Sequence, residues 1–129
     1  GHNPAAGQAL APELALWKRA HPLFQTYLVV GMINTKDIAG FLTPLAPFVR
    51  SLYALTIPNE VNAVPAEALA ETARKLGIAA RIAPDAATAV VDIVAEEKAR
   101  PRHPRGPAYA RILICGSLYL AGTILADNG

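Results

Sequence analysis

SLYALTIPNEVNAVPAEALAETARKLGIAARIA, residues 51–83, decides the fold. Ser51 to Ile57 is a short run of apolar and β-prone residues and reads as a strand. Pro58 to Pro65 is a loop, with Asn59, Glu60 and Asn62 exposed. Ala66 to Leu76 has the composition of a strong helix, and Gly77 stands where a helix C-cap is expected. Ile78 to Ala83 is a second strand. Strand, helix and strand joined by short connections form the unit that pairs strands in parallel. Its right-handed crossover brings the carboxyl ends of both strands to one edge of the sheet.

The same alternation continues in both directions. Upstream, Tyr27 to Met32 reads as a strand buried on both faces. Asn34 to Asp37 is a polar loop. Ile38 to Val49 is helical in pattern but interrupted by Pro44 and Pro47, which predicts a short helix followed by a second turn. Asn3-Pro4 has the form of a helix start. That helix runs to Arg19 with Leu10, Leu14 and Trp17 on one face, and His21-Pro22 ends it. Downstream, Pro84-Asp85 opens a helix from Ala86 to Ala99, with Val90, Ile93 and Val94 inward. Arg100 to Ala110 is a loop rich in Pro and Arg, read as solvated and mobile. Arg111 to Cys115 is a strand, and Gly116-Ser117 turns it into a last helix, Leu118 to Ala126. The expected fold is one domain over residues 1–129. It is a three-layer α/β/α sandwich around a Rossmann-like, mostly parallel sheet of about four strands.

Composition narrows the function classes. The chain is 53% hydrophobic and 17% charged with a net charge of +2, which suits a cored domain and gives no polycation for nucleic acid. The single cysteine, Cys115, excludes an internal disulfide and fits a reducing, cytoplasmic setting. No apolar stretch is long enough to span a membrane, and no signal peptide is visible. Neither a Gly-x-x-x-x-Gly-Lys-[Ser/Thr] nor a Gly-x-Gly-x-x-Gly pattern occurs, so the chain by itself has no standard means of holding ATP. The opening Gly1-His2-Asn3-Pro4 starts within a turn, as an excised fragment would.

Ligands in open α/β sheets bind beyond the carboxyl ends of the strands. The loops leaving those ends are Ile33–Asp37, Pro58–Pro65, Pro84–Asp85 and Gly116–Ser117, with His2-Asn3-Pro4 as a fifth candidate. His2, just before a capped helix, is able to donate to an anion, although a terminal His is more often idle. Ser117 follows a Gly at a strand-to-helix turn and is able to bind a carboxylate; N-capping is the commoner reason for a Ser there. Its context is not the hydrolase elbow Gly-x-Ser-x-Gly. Lys36 is placed to reach a phosphate, and the plainer reading has Asp37 capping the next helix. His2, His21 and His103 are not spaced as metal ligands.

Three segments carry a resemblance. Gly1-His2-Asn3-Pro4-Ala5-Ala6 resembles the end of an Asp-Gly-x-His-Asn-Pro motif. Gly31-Met32 with Lys36-Asp37 resembles a Gly-Met…Asp-Lys-Asp segment, with Asn34-Thr35 where an Asp often precedes the Lys. Arg111 to Gly122 resembles a Gly-Ser-Leu-Tyr-Leu signature. All three belong to the C-terminal domain of folylpolyglutamate and dihydrofolate synthases, relatives of the Mur ligases. The resemblance implies a domain of the Mur-ligase C-terminal type lacking its first strands. It implies an ATP-dependent ligase that joins L-glutamate to dihydropteroate or a folate through an acyl phosphate. ATP and Mg²⁺ would be held mainly by an N-terminal ATPase domain of the same parent chain, and the fragment alone would be inactive. His2 takes the place of the family His near the transferred phosphate and glutamate. Ser117 corresponds to a glutamate-carboxylate ligand, and Asn3, Lys36 and Asp37 face the interdomain cleft. The resemblance also implies that Arg111–Cys115 is left as an unpaired edge that tends to pair with another chain. The rivals are another Mur-type amide ligase and a non-catalytic anion-binding module.

Overall fold

The computed structural model describes residues 4–33, 37–101, 108–116 and 119–128. In chain order its elements are α1 (Pro4–Ala20), β1 (Phe24–Gly31), α2 (Ile38–Leu42) with a 3-10 helix (Thr43–Phe48), and β2 (Ser51–Leu55). There follow α3 (Ala66–Lys75), β3 (Ala80–Ile82), α4 (Ala86–Ala99), β4 (Ala108–Gly116) and β5 (Tyr119–Asn128). The sheet order is β3-β2-β1-β4-β5. The first four strands are parallel, and β5 runs antiparallel to β4. The unit at residues 51–83 forms as read. Gly77 ends α3 with φ of 83°, a left-handed conformation open to glycine. Its N–H bonds to the Arg74 carbonyl and that of Ile78 to the Ala73 carbonyl, both at 3.0 Å, which closes the helix end.

Side chains alternate between the two faces of each strand, and the faces differ. On the first, Leu28, Val30, Leu52, Ala54, Leu113 and Cys115 pack under α1, α2, the 3-10 helix and α3. Burying each such leucine contributes about 1.5–3 kcal/mol. α1 can lie close because residue 7 is glycine. A Cβ there would collide with the Phe41 carbonyl oxygen and stand 3.1 Å from Pro44 Cγ.

On the second face Tyr27, Val29, Tyr53, Leu55, Ala110 and Ile112 meet α4, whose inward stripe is Ala89, Ile93 and Glu97. Glu97 is fully buried. It accepts from the Tyr27 hydroxyl at 2.7 Å and pairs with Arg100 Nη2 at 2.8 Å. Glu96 accepts from Ser51 at 2.6 Å and from Tyr53 at 2.7 Å. Burial, and then the hydrogen bond to the glutamate, push both phenols well above their ordinary range. Val90 and Val94, expected inward, are only half-buried.

The C-terminal reading needs correction. Residues 119–128 form β5, not a helix over 118–126, and pair along β4 from Ala108↔Asn128 to Gly116↔Tyr119. The open edge of β4 offered a row of unpaired backbone groups. A hairpin satisfies them, which outweighs a modest helix preference. Arg111–Cys115 is therefore not an unpaired edge, and self-association through it loses its basis. The Arg-rich segment is corrected too. Arg100 is held by Glu97 and Arg111 is a buried residue of β4, so neither belongs to a solvated loop. Arg102 and Arg105 lie outside the described residues.

Candidate functional site

The carboxyl ends of the parallel strands are level. Gly31 of β1 pairs with Leu55 of β2 and with Gly116 of β4. α2, α3 and α4 each follow a strand and so start at this rim. α1 precedes β1, and its Gly7 sits against Phe41 of α2, so its first turn stands there as well. The positive ends of four helices therefore face one edge of the sheet.

The rim is tied together by its own backbone. The Val64 N–H donates to the Met32 carbonyl at 2.8 Å, and Ile33 bridges Ala63. The loop after β2 is thereby folded back along the end of β1. Gly31 permits this, because a Cβ would stand 2.9 Å from Ile57 Cγ1. Pro65 has no capping side chain, and Thr56 Oγ1 instead accepts from the Ala66 N–H at 2.9 Å. The tip of the loop turns at Asn59, with φ of 62°, and leaves Val61 99% exposed.

Two aspartates of the rim are committed as caps. Asp37 Oδ1 accepts from the Gly40 N–H at 2.7 Å and caps α2. Asp85 Oδ1 accepts from the Thr88 N–H at 2.7 Å and caps α4. That backbone hydrogen bond holds the Asp85 carboxyl below its ordinary value. α3 carries Glu67 in its first turn, whereas α1, the longest helix, has no acid there. An anion arriving at this rim meets the least opposition at the start of α1.

Of the residues named from the sequence, Asp37 is described, at the rim and engaged as a cap. His2, Asn3, Lys36 and Ser117 lie outside the described residues. Sequence reasoning missed Thr56 as a remote cap, Glu96 as a half-buried acid and Glu97 as a buried one. The 89–93–97 spacing on one stripe of α4 was the available signal for Glu97.

Away from the rim, a cleft of about 1010 Å³ opens between the end of α4 and the starts of β2 and β3. Arg50, Ser51, Tyr53, Arg81 and Glu96 line it. Because Glu96 is already taken by Ser51 and Tyr53, the size of this cleft does not outweigh the convergence of helix ends at the other edge.

No family model matches the chain, and no curated protein does. Solved structures match nearly its whole length. One is the bifunctional folylpolyglutamate synthase/dihydrofolate synthase of Yersinia pestis with AMPPNP and Mn, at 27% identity and a TM-score of 0.66 over 91% of this chain. Another is E. coli FolC with DHPP and ADP, at 28% identity, a TM-score of 0.66 and 91% coverage. A third bifunctional synthase, with Mn, AMPPNP and L-glutamate bound, matches at 28% identity and a TM-score of 0.65 over 91%. The chain spans 24% of the length of each. In sequence pattern and in fold the chain is thus similar to about a quarter of the length of solved folylpolyglutamate synthase/dihydrofolate synthases.

Proposed function

We propose that this domain is the glutamate-gripping half of an ATP-dependent ligase that joins L-glutamate to dihydropteroate or a folate in the cytoplasm. The observation that carries the reading is the order of the three motif segments combined with the geometry of their described neighbours. Pro4 opens α1, Gly31 ends β1 and Gly116 ends β4, all at one rim. In this reading His2 and Ser117 donate to the glutamate carboxylates, and Asn3 and Lys36 face the cleft toward the partner domain. Asp37 holds α2 in place beneath them. Gripping both carboxylates fixes the amine toward an acyl group activated elsewhere, and closing the rim keeps water from that group.

ATP and Mg²⁺ do not fit this chain alone. It has no phosphate loop. Among the described residues no group of three His, Cys, Asp or Glu side chains could hold a metal ion, and the rim's aspartates are spent as caps. Both are assigned to an N-terminal ATPase domain of the same parent chain. That relatives are solved with nucleotide, Mn and L-glutamate supports this division, and a Mur-type acceptor is less favoured because the similar structures are folate enzymes.

Glutamate-dependent phosphate release from ATP, with dihydropteroate or folate as acceptor, tests the reading. The chain alone should show no turnover, and the chain joined to an ATPase domain of this family should show it. Turnover by the chain alone, or none by the joined protein, would reject the division of labour.

A further inference from the structure

At the end of the sheet opposite the rim, three buried donor atoms have no acceptor among the described residues: Trp17 Nε1, Arg111 Nε and Arg111 Nη1. Arg111 is 9% exposed. It sits in β4 level with Thr26, near the start of β1, and its Cζ lies 4.4 Å from the centre of the Trp17 ring. The walls are aromatic. The Trp17 and His21 rings meet at a tilt with centres 4.1 Å apart, and Phe24 stacks with Tyr109 at 4.8 Å. The indole face offsets part of the cost of burying a cation, but it accepts no hydrogen bond from the two guanidinium nitrogens.

Charge points the same way. Lys18 and Arg19 occupy the last turn of α1 beside this pocket of donors. Among the described residues, the acid whose charge acts on Arg111 is the exposed Glu13, and no ion pair joins the two. A water molecule would satisfy donors but leave the charge uncompensated. An oxyanion answers both deficits.

We propose that the end of α1 and β4 form an anion site, in which Arg111 and the Trp17 indole N–H hold a carboxylate or phosphate group and pin α1 to the sheet. The site is separate from the rim and is assigned to no known step of the reaction.

Trp17 is the only tryptophan in the chain, so its fluorescence reports the site directly. The 129-residue chain is titrated with inorganic phosphate and, separately, with acetate, at ionic strength held constant with chloride. A saturable change in one or both arms is expected, and the responding arm identifies the group bound. Arg111→Lys should weaken the response and Arg111→Met abolish it. Glu13→Gln should tighten binding by roughly two- to fivefold, by removing a competing charge. No saturable response in the unaltered chain, or the same response in Arg111→Lys and Arg111→Met as in the unaltered chain, overturns the proposal. So does a Glu13→Gln chain that loses the response, since Glu13 would then be the missing partner.

Discussion

The two faces of the sheet solve the same burial problem with different chemistry. The first is apolar over most of its area, where Leu28, Leu52 and Leu113 meet leucines and alanines from α1 to α3, with Arg111 beneath Trp17 as its polar exception. The second is covered, among the described residues, by α4, and its tyrosines and Ser51 donate hydrogen bonds to Glu96 and Glu97. A dry interface tolerates small changes in shape at graded cost. A polar one is satisfied or broken as a unit, because each buried group depends on the others. The second face therefore fixes α4 by specific pairing, while the first holds its helices by volume.

The sharpest way to break this contrast is Arg100→Met. It leaves the Glu97 carboxylate, 0% exposed, without its guanidinium, and about 3–5 kcal/mol of unfolding free energy should be lost in a urea titration. A loss below about 1 kcal/mol would mean that the pair is not holding α4. Next is Leu52→Ala on the dry face, expected to cost about 2–5 kcal/mol by the same measurement. Leu52 carries no titratable group, so the effect should be independent of pH between 5 and 8. Tyr27→Phe removes one donor to Glu97 and leaves Arg100 in place, so it should cost about 1 kcal/mol. A cost equal to that of Arg100→Met would show that the hydroxyl, not the ion pair, organises the network.

The smallest effect concerns how α4 begins. The Asp85 carboxyl titrates lower in the fold than its ordinary value of 3.8. Its contribution is therefore fully present above that pH and is lost as pH falls through the lower folded value. Asp85→Ala should lower the melting temperature slightly at pH 7 and by less at pH 2. An equal loss at both pH values would assign the effect to packing instead of the charged cap.

The sequence revealed the repeating unit because strand and helix differ there in both period and punctuation: β-prone residues at 51–57, an alanine-rich helix, then Gly77. It misread residues 119–128 because their helix preference is weak and the deciding term is not local. The free edge of β4 exists only once the sheet has formed. Glu97 was overlooked for a similar reason. A glutamate near a helix end reads as solvated until Tyr27 and Arg100 are seen to converge on it. At the rim, the starts of α1 and α4 were legible as Asn-Pro and Pro-Asp dipeptides, whereas Gly116-Ser117, read as a helix start, precedes a strand. The roles of His2 and Ser117 came from resemblance, since no spacing argument singles them out from idle caps.

The most direct test of the functional account is steady-state ligation by the chain joined to an ATPase domain from one of the similar synthases, comparing Ser117→Ala and His2→Ala with the unaltered protein. If these residues grip glutamate, KM for glutamate should rise on the order of tenfold or more in each variant, with KM for ATP little changed. An unchanged glutamate KM in both variants would contradict the account.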